Sequence, residues 1–465
     1  MIVSRRAVAF ALAVPVLLLA GGCTTPIGPE RASRTFRYVV EEAEKPEVRT
    51  ELGLALSGGG IRSALYSIGV LKALHDQGIL EKVDIISTVS GGSYAGYWLY
   101  SNALAKPRES LGAASFGPRV LGENMCELVT RANFVTNWDY VATPFLLKSY
   151  PTMYAEHIGR TFGYADKDLT PINGFESTRE SPRPYLIVNA TVHQPTPLAG
   201  WADGLFEMTP RLYGNEALGY HAWNAQAPQY RHAVGASGAA KDILKREFSF
   251  VQTGGRKLDV TLTDGGNSEN LGALALIRRG VKTIIVADGE HNPDYRFEAY
   301  VNLKERLKNW GLALSSETLD LYLETRERGS ELKPDRGLHW AKVVRLSDPE
   351  QKVISRIAYL KMVMTDIRHR PEDAQESMQL EVAAGRKIDD DFFNHLRATS
   401  TPSGMLRQSR HWNCSQARDV SASFQPWFRY NLHGYHAYSE GSRSYSLLRK
   451  LGGPFDSNFP AIYDA

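Results

Sequence analysis

The chain has 465 residues, 43% of them hydrophobic, and a formal net charge of +3. That length suits one large α/β core with additions. Basic and acidic residues are interleaved, without a ladder of basic and aromatic side chains, which argues against nucleic acid as a partner. Three cysteines, no HExxH and no Cys or His pairs at ligand spacing leave a metal or other cofactor without support.

The first residues read MIVSRRAVAFALAVPVLLLAGGCTTP: Arg5 and Arg6, an apolar stretch from Ala7 to Ala20, small residues, then Cys23. The stretch is short for a membrane span and carries the charge and flanks of an export signal. LAGGC resembles the lipobox of bacterial lipoproteins, which implies removal of residues 1–22, a lipid on Cys23 and a chain anchored at the bacterial cell envelope. By the same analogy, Thr24 fits outer-membrane sorting. Loss of Arg5 and Arg6 would lower the charge from +3 to +1. An uncleaved signal anchor is the alternative. Residues 23–48 lack apolar periodicity and read as a tether. Cys126 and Cys414 are read as buried thiols, although an oxidising compartment would let them pair if the fold brought them together.

Regular structure is expected from about Glu51. LGLAL (52–56) predicts a strand, SGGG (57–60) a turn, and Ile61, Leu65, Ile68 and Leu71 a helix. VDIISTV (83–89) predicts a second strand, and Tyr94, Tyr97, Trp98 and Leu99 a buried helix after Gly91. YLIVNATV (185–192), LDVTLT (258–263), TIIVA (283–287) and AKVVRL (341–346) continue as strands of a mostly parallel sheet. ENLGALALIRRG ends in helix-stop signals at Gly280. This alternation predicts a three-layer α/β/α sandwich over residues 49–347. Residues 105–180 and 193–246 are long for crossovers and read as insertions or a lid. Beyond 300 the spacing of Leu303, Leu307 and Trp310, then of Val353, Ile357, Leu360 and Met364, predicts helices, so 348–465 reads as a helical, aromatic-rich C-terminal extension packed on the same domain.

Three pieces carry chemistry. Consecutive glycines between strand and helix aim backbone N–H groups and a helix N-terminus at one point, a cradle for an oxyanion. The Gly-Lys-Ser/Thr of a nucleotide-binding loop is missing from SGGGIRSA. Ser90 stands where a nucleophile sits on a strand-to-helix elbow, in Thr88-Val89-Ser90-Gly91-Gly92, with Thr88 where the usual pattern has glycine. Ser93 is the competing hydroxyl, one helical turn on. Asp264, in LTDGGNSENLG, follows a strand and would serve as base within about 2.6–3.2 Å of the serine. Asp288, in VADGE, has the same setting, and local physics does not separate the two. In a parallel sheet all three pieces fall at carboxyl ends of strands, where such folds build their sites.

SGGGIR, the Ser90 elbow and DGGNSENLG, in that order, resemble the patatin-like phospholipases, closest to their cytosolic phospholipase A branch. FEMTPRLYGNEALG (206–219) and VGASGAA (234–240) resemble segments of the same family. The resemblance implies a Ser-Asp dyad of Ser90 and Asp264, an oxyanion hole from Gly58, Gly59 and Gly60, and Arg62 against a substrate phosphate. It selects Asp264 over Asp288 and implies an exported, lipid-anchored hydrolase of phospholipid or lysophospholipid acyl esters at a membrane. Rival readings are a Ser-Asp-His hydrolase using His291 and a catalytically silent lipoprotein that uses the fold for binding.

Overall fold

The computed structural model describes residues 49–103, 149–163, 169–177, 183–193, 204–215, 219–223, 227–251, 257–290, 292, 295–329 and 338–362. The expected signal peptide, Cys23, the tether, Cys126, His291, Cys414 and the C-terminal extension past Met362 lie outside them.

The described strands are β1 (Leu52–Leu56), β2 (Ile85–Val89), β3 (Tyr185–Val192), β4 (Leu205–Met208), β5 (Leu212–Asn215), β6 (Gly219–Ala222), β7 (Arg246–Val251), β8 (Lys257–Thr263), β9 (Thr283–Asp288), β10 (Leu312–Ser315), β11 (Leu338–Arg345) and β12 (Val353–Lys361). They form one mixed sheet in the order β10-β11-β12-β9-β1-β2-β3-β4-β5-β6, with β8 paired to β3 and β7 to β8. The centre is parallel: β12 with β9, β9 with β1, β1 with β2 and β2 with β3. Both outer parts are antiparallel.

Alternation along the central strands feeds two cores, as a sheet covered on both faces requires. Leu52, Leu54 and Leu56 join Ile86 and Ile285 on one side, under α1 (Gly60–Asp76), α2 (Gly91–Trp98), α3 (Tyr150–Phe162) and α4 (Tyr230–Ser237). Ala55, Ile85, Ile284 and Val286 face the other side, under α5 (Ala273–Arg278), α6 (Glu298–Asn309) and α7 (Glu317–Glu327). The three layers are those expected from the alternating pattern.

Two expectations need correction. The Val353, Ile357 and Leu360 spacing belongs to a strand, β12, and the sheet runs past residue 347. The step of three from Ile357 to Leu360 puts these side chains on opposite faces of the sheet, one in each core, as a strand covered on both sides allows, and β-branched Val353, Ile354 and Ile357 favour the extended form. LDVTLT and AKVVRL depart from the parallel expectation as well: β8 runs antiparallel to both β3 and β7, and β11 to both β10 and β12.

Central placement of β12 is fixed by charge as well as by pairing. Lys361 Nζ lies 2.9 Å from Asp288 Oδ2, both side chains being buried, and the Tyr359 hydroxyl donates to the same carboxylate oxygen. Removing one partner strands a buried charge, so Lys361→Met should cost about 3–5 kcal/mol in urea unfolding. Adding Asp288→Asn to that variant should recover most of the loss.

Candidate active site

Ser90 is the single residue between β2 and α2, and its backbone takes φ 48° and ψ −116°. A side chain at positive φ is uncommon and needs surroundings that enforce it. Here they are backbone contacts. A β-carbon on Gly91 would lie 2.0 Å from the Gly60 carbonyl oxygen, and one on Gly92 would lie 2.1 Å from that of Leu56, so only glycine permits the approach. Gly92 N–H donates to Ser57 O at 2.9 Å, and Ser90 N–H donates to Ser237 Oγ at 2.9 Å.

Thr88, in the place of the usual elbow glycine, is accommodated. Its Oγ1 donates to Ile187 O at 3.1 Å, and its methyl carbon lies 2.9 Å from where a β-carbon on Gly96 would stand. The space that glycine would have left at 88 is supplied at 96. Ser93, the competing hydroxyl, is fully buried, 3.0 Å from Thr88 Oγ1 and 2.9 Å from Ser237 Oγ. It braces the elbow.

Asp264 follows β8. Because β8 meets β3 only at Thr191 and Val192, its antiparallel course runs in from beyond the end of β3 and delivers Asp264 to the carboxyl edge. Its N–H donates to Ala239 O at 3.2 Å, and Gly266 N–H donates to Oδ1 at 2.8 Å. The Ser90 hydroxyl donates to Oδ2 at 2.7 Å. Ser90 is 6% exposed and Asp264 8%. Burial pushes the Asp264 carboxyl up to about 6, against the opposing pull of the Ser90 and Gly266 hydrogen bonds. Asp288, the rival carboxylate, is spent on Lys361 and Tyr359.

The glycine turn only partly matches expectation. Gly58 N–H donates to Asn270 O at 2.8 Å, so it is already engaged. Gly59, at φ 134°, and Gly60, at φ 67°, have N–H groups with no partner among the described residues, at the N-terminus of α1. A β-carbon on Gly59 would lie 2.6 Å from Gly289 O. Arg62 stands half-buried on the first turn of the same helix.

Sequence reasoning did not single out Asn270, Ser237 or Asn189. Asn270 Oδ1 fills the space beside both Gly58 and Gly266, and its Nδ2 donates to Glu290 Oε1 at 3.1 Å. Ser237 Oγ donates to Asn189 O at 2.6 Å while accepting from Ser90, tying β3 and α4 to the elbow. The signal for Asn270 was its place in DGGNSENLG; Asn189 lies inside an apolar strand that offers none. Among the described residues no cluster of three or more His, Cys, Asp or Glu is placed to hold a metal, and no helix is long and apolar enough to cross a membrane.

A hydroxyl on a strained elbow is thus bonded to a buried carboxylate, beside glycine N–H groups without a partner among the described residues, in an α/β/α domain. Residues 54–180 match the family model described as patatin-like phospholipase. No curated protein matches the sequence. Among solved structures, the chain is similar to human GIVD cytosolic phospholipase A2, with TM-score 0.46 and 13% identity, covering 86% of this chain and 62% of that one. The same human protein in complex with methyl gamma-linolenyl fluorophosphonate gives TM-score 0.42 and 14% identity, covering 86% and 58%. VipD from Legionella pneumophila gives TM-score 0.22 and 12% identity, covering 52% and 51%. The chain thus spans less than two thirds of the cytosolic phospholipase chains it matches.

The raised Asp264 carboxyl has a consequence for stability. With a folded value near 6 against an ordinary 3.8, folding is favoured most below about pH 4, and that advantage is lost as pH rises through 6. Ionisation in the fold therefore costs about 3 kcal/mol. Asp264→Asn should be the more stable protein at pH 8 by up to about that amount, with the difference from ionisation gone at pH 4, as urea titrations at the two pH values would show.

Proposed function

We propose that the protein is an exported, lipid-anchored serine hydrolase that cleaves acyl esters of phospholipids or lysophospholipids with a Ser90-Asp264 dyad. The observation that carries this reading is the 2.7 Å hydrogen bond from Ser90 Oγ to Asp264 Oδ2, beside the glycine turn. The patatin-like match over residues 54–180 supports the substrate class.

Ser90 Oγ attacks the acyl carbonyl carbon as its proton passes to Asp264. A carboxyl near 6 is ionised at neutral pH yet basic enough to hold that proton. The carbonyl oxygen, now negative, receives the N–H groups of Gly59 and Gly60 and the positive end of α1. Collapse breaks the ester C–O bond, and Asp264 returns the proton to the leaving alkoxide. Water then gives a proton to Asp264 and attacks the acyl-serine, and the proton returns to Ser90 Oγ as the fatty acid leaves. Arg62, on the first turn of α1, would hold the substrate phosphate. The lipid on Cys23 would keep the site at a bacterial membrane, the outer one by the Thr24 analogy, where these substrates are.

Hydrolysis of phosphatidylcholine and lysophosphatidylcholine by the purified chain tests the reading. Ser90→Ala should abolish turnover, and Asp264→Asn should lower kcat by about 10³-fold or more. For the wild type, kcat/KM should rise about tenfold per pH unit up to about pH 6 and level above it, tracking ionisation of the base. EDTA should leave the rate unchanged. Arg62→Gln should raise KM for phospholipid and leave that for a neutral ester nearly constant. Full activity in Ser90→Ala would overturn the assignment.

A further inference from the structure

Two arginines lie within electrostatic reach of His232 and of each other, without a carboxylate partner among the described residues. Arg231 and His232 lie in the first turn of α4, and Arg246 opens β7 opposite Leu262, two residues before Asp264. Arg246 Nη2 lies 3.0 Å from His232 Nδ1. Burial and the two guanidiniums push His232 down to about 3, so the ring is neutral, Nδ1 accepts, and Nε2 carries the proton. Both His232 Nε2 and Arg246 Nη1 are buried, and neither has a hydrogen-bond partner. Arg231 Nε donates to Gln229 Oε1 at 3.0 Å.

No acid within the described residues pairs with either arginine. Of the carboxylates close in sequence, exposed Glu247 follows Arg246 on β7 and so stands on the opposite face of the strand, and Asp242 is 2.7 Å from Lys245 Nζ, which also lies 2.9 Å from His193 Nε2. Arg246 does lie 5.6 Å over the Phe248 ring, and that contact offsets part of its lost hydration. Burial and the charge of Arg231 both weigh against the protonated form of Arg246. Elsewhere the chain neutralises its buried cations: Arg278 and Arg279 share Glu207, and Lys361 has Asp288. Partly desolvated like charges with unfilled donors are costly unless an anion completes them.

We propose that Arg231, His232 and Arg246 form a binding site for a phosphate group, either free orthophosphate or the phosphate of a lipid headgroup, separate from the Ser90-Asp264 pair. A phosphate fits because guanidinium forks match its oxygens bidentately and two arginines match its charge. The site bears on catalysis through its scaffold. The far end of α4 carries Ser237, which accepts from Ser90 N–H, and β7 pairs with the strand that delivers Asp264. The inference stands on its own geometry and does not require the hydrolase reading.

The test uses the full chain in a Ser90→Ala background, so that binding is read without turnover. Thermal unfolding is followed in saturating orthophosphate against sodium chloride of equal ionic strength. The parent should gain about 2–4 °C in phosphate, and Arg246→Gln should gain nothing. Without phosphate, Arg246→Gln should melt no lower than the parent, because repulsion is relieved, whereas an arginine that merely holds the fold together would lower it. Arg231→Gln serves as the second variant, with the same expectation. Co-sedimentation with phosphatidylcholine vesicles, with and without phosphatidate, distinguishes the sources. Phosphatidate-dependent retention that both variants lose identifies the headgroup, and a phosphate shift without such retention identifies the free ion. Absence of both effects in the parent, or equal effects in the parent and both variants, overturns the site.

Discussion

Everything at this site hangs on two backbones touching where side chains would normally stand. The Gly60 carbonyl oxygen occupies the place of a β-carbon on Gly91, and the Leu56 carbonyl does the same to Gly92. That approach forces the turn after β1 and the turn after β2 into one another. Ser90 is held at positive φ, and the N–H groups at the start of α1 are brought to the same edge as its hydroxyl. Hydrogen bonds from Gly92 to Ser57 and from Ser90 to Ser237 lock the arrangement from both sides. A strained backbone persists only where its surroundings over-determine it, and here they do so through atoms that no side chain can replace.

The second constraint is dielectric. Asp264 is withdrawn from water, has no cation beside it, and is satisfied by one hydroxyl and one backbone N–H. Its carboxyl therefore sits well above its ordinary range, as the proposed role of base near neutrality requires. Asp288, at the end of β9, shows the opposite treatment: Lys361 and Tyr359 claim its carboxylate and make it part of the sheet. Two aspartates that look alike in the chain are separated by their partners, one left poised and the other consumed.

Local patterns were legible where chain neighbours determine the outcome. The strand, glycine turn and helix around residues 52–76, the Ser90 elbow and the apolar run of β3 could all be read directly, because each is set by residues within one or two turns of each other. What long-range pairing decides was not legible. The antiparallel course of β8 depends on two residues of β3, and the capture of Gly58 N–H by Asn270 O joins positions far apart in the chain. Thr88 looked like a defect in the elbow until Gly96 supplied the missing space. The β12 segment imitates a helix because a strand buried on both faces carries apolar residues at Ile357 and Leu360, whose spacing of three is that of a helical turn. The preference for Asp264 over Asp288 came from family resemblance, and its geometric reason appears only in the folded chain.

The central claim is that Ser90 is an activated nucleophile. It is tested most directly by treating the folded chain with a fluorophosphonate probe and mapping the adduct by mass spectrometry, beside Ser90→Ala and Asp264→Asn. The account predicts one adduct on Ser90, absent from the alanine variant and strongly slowed in the asparagine variant. An adduct on another serine, or none on well-folded protein presented with vesicles, would contradict it.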